Sequence, residues 1–75
     1  MKRIVLYTKN RCPHCETAKK YLEQKNIPFR LCNVSTAAGQ KEFYKTGFRG
    51  VPVLKIGDRY LNGFSVKQFE AMIKG

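Results

Sequence analysis

The chain has 75 residues, 43% of them hydrophobic and 27% charged. That is enough for one small domain spanning 1–75, near the lower size limit for a self-sufficient core, and it argues against a disordered chain. Fifteen Lys and Arg against five Asp and Glu give a net charge of +10, which favours acidic surfaces or polyanions as partners. The basic residues are scattered with no cluster on one element and no nucleic-acid motif, so nucleic acid is not the expected ligand.

Met1-Lys2-Arg3 gives a positive start, but the apolar Ile4-Val5-Leu6-Tyr7 behind it is too short for a signal-peptide core. No apolar run approaches the ~20 residues of a membrane span. A cytoplasmic protein without membrane attachment is expected. Residues 3–8 read as a buried strand. Residues 13–25 show helical spacing, with Cys15, Ala18 and Leu22 on one face and Glu16, Lys19, Lys20 and Glu23 on the other. Pro13 suits the first helical position, Asn26 ends the helix, and Pro28 prevents its continuation. Phe29 to Val34 reads as a second strand. Ser35 or Thr36 caps a second helix running to about Thr46 with Gly47 as its stop. Gly39 and a thin apolar face weaken that helix. Val51 to Ile56 forms a third strand opening on Pro52, and Gly57-Asp58 turns into a short fourth strand, Arg59-Tyr60-Leu61, ended by Asn62-Gly63. Ser65 and Gln68 form a capping-box pattern ahead of a last helix carrying Val66, Phe69 and Ile73. The order is β-α-β-α-β-β-α, an α/β domain.

Cys12-Pro13-His14-Cys15 carries the chemistry. The i, i+3 spacing puts both sulfurs on one face of the first helical turn, within reach of a disulfide. The partial positive charge of the helix N-terminus favours a thiolate there. Such a pair in a βαβ-like pattern reads as a thioredoxin-like redox motif. The loop it closes is too short to restrain the unfolded chain much, so chemistry explains the pair better than stability does. Cys32, the remaining cysteine of three, reads as a buried small hydrophobe.

The strand, the Cys-Pro-x-Cys opening a helix, and Val51-Pro52 at the head of a later strand resemble the glutaredoxin branch of the thioredoxin-like fold. The resemblance covers essentially the whole chain. Tyr7-Thr8-Lys9 ahead of the cysteine pair is similar to the glutaredoxin active-site approach. Gly47-Phe48-Arg49, Val51-Pro52-Val53, Gly57-Asp58 and Gly63-Phe64 look more like the glutathione-independent NrdH-type redoxins and short bacterial glutaredoxin-like proteins. This implies a four-stranded mixed sheet and a cis Val51–Pro52 bond beside the cysteine pair. The Val51 backbone is then free to pair with an extended peptide or glutathione. It also implies that Lys9 and Arg49 contact glutathione carboxylates. Glutaredoxins usually place an acidic residue after the glycine at the last helix, whereas this chain has Gly63-Phe64-Ser65. Ser65 at a helix N-terminus is the remaining candidate for holding a carboxylate, and Phe64 for docking a protein.

The resulting expectation is a thiol–disulfide oxidoreductase. Cys12 attacks, its sulfur facing solvent, and the shielded Cys15 resolves the mixed disulfide. Lowering a thiol pKa from ~8.5 to ~6.5 raises the thiolate fraction at pH 7 about 25-fold. Intrinsic nucleophilicity falls about 6- to 10-fold, leaving a net gain of only about 3- to 4-fold. The larger benefit is that a low-pKa Cys12 leaves easily. A cationic His14 between the cysteines stabilises the thiolate further and moves the couple toward the oxidising side. No bound cofactor or metal is expected beyond the redox-active disulfide. Glutathione or a thioredoxin reductase is the expected electron donor, and a protein disulfide the substrate, ribonucleotide reductase by resemblance. A monomer is expected. The alternative is a metal or iron–sulfur module using Cys12, His14, Cys15 and Cys32.

Overall fold

A computed structural model describes residues 3–74; Met1 and Lys2 of the basic start, and Gly75, lie outside the described residues. The elements are β1 (Ile4–Thr8), α1 (Pro13–Gln24), β2 (Arg30–Asn33), α2 (Ala37–Tyr44), β3 (Val53–Ile56), β4 (Arg59–Asn62) and α3 (Val66–Lys74). The expected order holds. The strands form one mixed sheet in the order β2-β1-β3-β4. β1 runs parallel to β2 and antiparallel to β3, and β3 and β4 form a hairpin.

Alternation along β1 divides the core in two. Ile4 and Leu6 point to one face, where Ala18 and Leu22 of α1 and Phe69 of α3 close over them together with Leu54, Ile56 and Leu61. Tyr7 points to the other face and joins Cys32, Val53 and Phe43 of α2 in a second, smaller cluster. Phe69, Leu6, Leu22 and Leu54 are all fully buried. Among the described residues, no helix is long and apolar enough to cross a membrane.

The ends of the helices have local causes. Asn26 takes φ 55°, and the Asn26 and Ile27 N–H groups donate to Glu23 and Leu22 carbonyls at 3.1 and 3.0 Å, which closes α1 in a Schellman arrangement. α2 is capped by Thr36 rather than Ser35. It stops at Tyr44, two residues short of the expected Thr46. There the Thr46 hydroxyl donates to the Phe43 carbonyl at 2.7 Å and competes with the helical bond. β3 starts at Val53, not Val51, because Pro52 has no N–H to donate to the ladder; the Val51–Pro52 bond is cis.

Gly39 has a different role from the weakening expected of it. It is buried within α2, and a Cβ there would overlap the Asn33 carbonyl oxygen while meeting the Asn33 carbonyl carbon at 2.6 Å. Only glycine lets α2 lie this close to the end of β2.

Candidate active site

The loop between β1 and α1 carries the cysteine pair. Arg11 adopts the left-handed conformation (φ 57°), reversing the chain so that Cys12 becomes the N-cap of α1 with extended backbone (φ −116°, ψ 101°). Pro13 occupies the first turn, where its missing N–H leaves nothing unpaired. Cys12 and Cys15 are joined in a disulfide with their Cα atoms 5.2 Å apart. The Cys15 N–H points at the Cys12 sulfur at 3.3 Å. That N–H is one of the unpaired donors of the helix start, and it stabilises negative charge on Cys12 sulfur when the disulfide opens.

Cys15 is 1% exposed, as its place on the apolar face requires. Cys12 is only 6% exposed, against the expectation of a solvent-facing sulfur. The disulfide and the Cys15 N–H draw that sulfur in against the first turn.

Two further asparagines hold this loop, and the sequence reading missed them. Asn33, at the end of β2, donates from Nδ2 to Asn10 Oδ1 at 3.0 Å. Its own Oδ1 accepts from the Ser35 N–H at 2.8 Å, and Ser35 Oγ accepts from the Asn10 N–H at 3.2 Å. The Asn33-x-Ser35-Thr36 run was the available signal, since Asx and Ser/Thr side chains bond nearby backbone in such turns.

Beside the pair, a groove of about 290 Å³ is lined by His14, Thr17, Val51, Pro52, Gly63 and Phe64. It gathers five of the expected site residues and adds Thr17, which shares a helix face with His14 at i+3 and donates to the Pro13 carbonyl at 3.1 Å. Pro52 is buried and cis after Val51, and its carbonyl accepts from the Gly63 N–H at 2.8 Å. Gly63 has φ 84°, a conformation suited to glycine. Among the described residues, neither the Val51 N–H nor its carbonyl has a hydrogen-bond partner. Phe64 is both groove wall and core contact, lying 5.4 Å from the Tyr21 ring and 6.2 Å from Phe69. Lys9 and Arg49 are exposed, Ser65 is half-buried, and none of the three lines the groove.

Cys32 is kept apart. Its thiol donates to Glu42 Oε2 at 3.0 Å, and Glu42 Oε1 is paired with Arg30 at 2.6 Å. Burial, reinforced by the Glu42 carboxylate, pushes the Cys32 thiol up to about 11. Hydrogen bonds from Cys32 and Arg30 hold the Glu42 carboxyl below its ordinary value. Among the described residues, no three His, Cys, Asp or Glu side chains come together as a metal site.

A helix-opening cysteine pair beside a cis-proline groove on this sheet defines the thioredoxin-like fold and, within it, thiol–disulfide oxidoreductases. Comparison with known proteins narrows the class. The glutaredoxin family model matches residues 4–61. The Escherichia coli glutaredoxin-like protein NrdH is 35% identical over 63 residues, 83% of this chain and 78% of that protein. The N-acetyl-S-hydroxy-L-cysteine reductase of Bacillus subtilis is 39% identical over 56 residues, 72% of this chain and 60% of that protein. In structure, the NrdH-redoxin of Escherichia coli, described as having a thioredoxin-like activity profile, superposes with a TM-score of 0.77. It is 31% identical, and the match covers 92% of each chain. The chain belongs to the glutaredoxin family and is a thiol–disulfide oxidoreductase.

Proposed function

We propose that this protein reduces disulfides of protein substrates, with Cys12 as nucleophile and Cys15 as resolving thiol, and that it works as an NrdH-type redoxin rather than a glutathione-dependent one. The carrying observation is the groove beside Pro52. It offers unpaired Val51 backbone groups and the Phe64 ring, while the three polar side chains suited to glutathione carboxylates, Lys9, Arg49 and Ser65, lie outside its lining. No resident metal or organic cofactor enters the scheme.

In the reduced protein, the Cys12 thiolate attacks one sulfur of the substrate disulfide. A Cys12–substrate disulfide forms and the other substrate sulfur leaves as a thiolate, which takes up a proton. Cys15, losing its proton, then attacks Cys12 sulfur, the second substrate sulfur leaves, and the Cys12–Cys15 disulfide closes. Two electrons have passed from the protein to the substrate. The Cys15 N–H at 3.3 Å from Cys12 sulfur stabilises Cys12 as attacking thiolate and as leaving group. An extended substrate is held by pairing with Val51 and lies against Pro52 and Phe64. His14, facing the same groove, adds positive potential when protonated and moves the couple toward the oxidising side.

The physiological electron donor under this proposal is a thioredoxin reductase, and ribonucleotide reductase fits as a substrate of the required chemistry. The test follows NADPH consumption in two coupled systems. Turnover with thioredoxin reductase alone is the expected result. Turnover only with glutathione and glutathione reductase would overturn the assignment and return Lys9, Arg49 and Ser65 to the binding site.

A further inference from the structure

Residues 9–11 deliver Cys12 to the head of α1, and they are tied down at one point. The parallel ladder of β1 and β2 ends with Thr8 beside Asn33, and the Val34 N–H extends it by a bond to the Thr8 carbonyl at 2.7 Å. Beyond that point, among the described residues, the hydrogen bonds from 9–11 to another segment are both made by Asn10. Its N–H donates to Ser35 Oγ at 3.2 Å, and its Oδ1 accepts from Asn33 Nδ2 at 3.0 Å.

Both partners are themselves fixed. Asn33 Oδ1 accepts from the Ser35 N–H at 2.8 Å, and the Asn33 carbonyl accepts from the Thr36 N–H and hydroxyl at 3.2 and 2.8 Å. A backbone N–H can only donate, so the Asn33 carboxamide turns its oxygen to Ser35 and its nitrogen to Asn10. Asn10 is therefore clamped to a turn anchored at the start of α2.

Only Arg11 separates this clamp from Cys12. Arg11 sits in the left-handed region at φ 57°, which a residue other than glycine keeps where its surroundings impose it. The clamp imposes it from the Asn10 side. From the other side the helix start does, with Cys12 as N-cap and the Cys15 N–H 3.3 Å from its sulfur. Clamp and disulfide thus hold the same short loop from its two ends. Each removes conformational freedom that the other would otherwise have to remove, and such coupling is equal in both directions.

We propose that Asn33 is a positioning residue of the redox pair: acting through Asn10, it holds the Cys12 loop in the geometry of the closed disulfide. This rests on Cys12 and Cys15 as the redox couple, not on which donor or substrate they serve. Cys15 thiolate then meets Cys12 sulfur already in place when it displaces the substrate sulfur, and the oxidised form is favoured over the dithiol. The effect is bounded by the worth of the hydrogen bond, about two- to tenfold in an equilibrium constant.

The test equilibrates the full chain with reduced and oxidised glutathione, and reads the Cys12–Cys15 disulfide by thiol alkylation and mass spectrometry. Asn10→Ala should lower the equilibrium constant for the disulfide by about two- to tenfold, and Asn33→Ala at least as far. In the Asn33→Ala background, Asn10→Ala should change nothing further. Asn10 is exposed, so its truncation leaves the core intact. An unchanged or raised constant in Asn10→Ala, whatever its urea midpoint, would overturn the proposal. So would an equal effect of Asn10→Ala in both backgrounds. The readout needs neither reductase nor protein substrate, so failure of turnover with thioredoxin reductase counts against the proposed function alone.

Discussion

Gly39→Ala sets helix propensity against tertiary fit, and the structure decides between them. Alanine in a helix interior is favoured over glycine by about 1 kcal/mol. Against this, the new Cβ would overlap the Asn33 carbonyl oxygen and lie 2.6 Å from its carbon and 2.9 Å from Thr36 Oγ1. The obstacle is mainly backbone, so relief requires α2 to lift from β2, at an overpacking cost of about 1–3 kcal/mol. Lifting also disturbs the Thr36 cap, which accepts the Gly39 N–H at 3.0 Å and is worth about 1 kcal/mol. The propensity gain and the cap loss cancel, leaving a net destabilisation of about 1–3 kcal/mol. With an m-value of about 1 kcal/mol/M for a domain this small, the urea midpoint should fall by about 1–3 M. The assay is equilibrium urea unfolding of both proteins in the oxidised state. An unchanged or raised midpoint would refute the close approach of α2 to Asn33.

Other consequences are equally direct. Glu42→Gln, in a chain with Cys12 and Cys15 replaced by Ser, removes the carboxylate that helps hold the Cys32 proton. Cys32 should then alkylate faster at pH 8.5, by less than about tenfold because burial, the larger cause, remains; an unchanged rate would contradict the Cys32–Glu42 contact. The same pair shapes stability against pH. The native state favours ionised Glu42, so that contribution is present above the ordinary 4.5 and lost as pH falls below it. It also favours protonated Cys32, so that contribution is present below 9.0 and lost as pH rises from there toward about 11; thermal unfolding across this range checks both limbs. Phe69→Ala, at a fully buried position, should cost about 3–5 kcal/mol, and Phe64→Ala, half-buried, about 1–2 kcal/mol, both read by urea unfolding. His14→Tyr should make the Cys12–Cys15 couple more reducing by about 30 mV, a tenfold change in equilibrium constant, measured against a glutathione redox buffer; an unmoved potential would remove His14 from the tuning.

Much of this was legible in the chain because the signals were local. The Cys12-Pro13 helix start, the Asn26 stop and the Gly57-Asp58 turn each follow from a few adjacent residues, and the order of elements with them. The groove was legible through Val51-Pro52 and Gly63-Phe64, which resemble a known family. What could not be read depends on where distant segments meet. Gly39 looks like a flaw in α2 until β2 lies against it. Asn10 and Asn33, 23 positions apart, carry no sign of each other. Cys32 reads as a plain hydrophobe because its partner Glu42 comes from the next helix. The basic residues appear scattered until strand pairing brings Arg30 and Lys55 to either side of Val5.

The division of labour between the two cysteines is best tested by trapping. Reduced Cys15→Ser protein, mixed with insulin, should accumulate a mixed disulfide that mass spectrometry locates at Cys12, while reduced Cys12→Ser protein should trap none. A mixed disulfide at Cys15 or Cys32 in either variant, or none at Cys12 in the first, would contradict Cys12 as the attacking thiol.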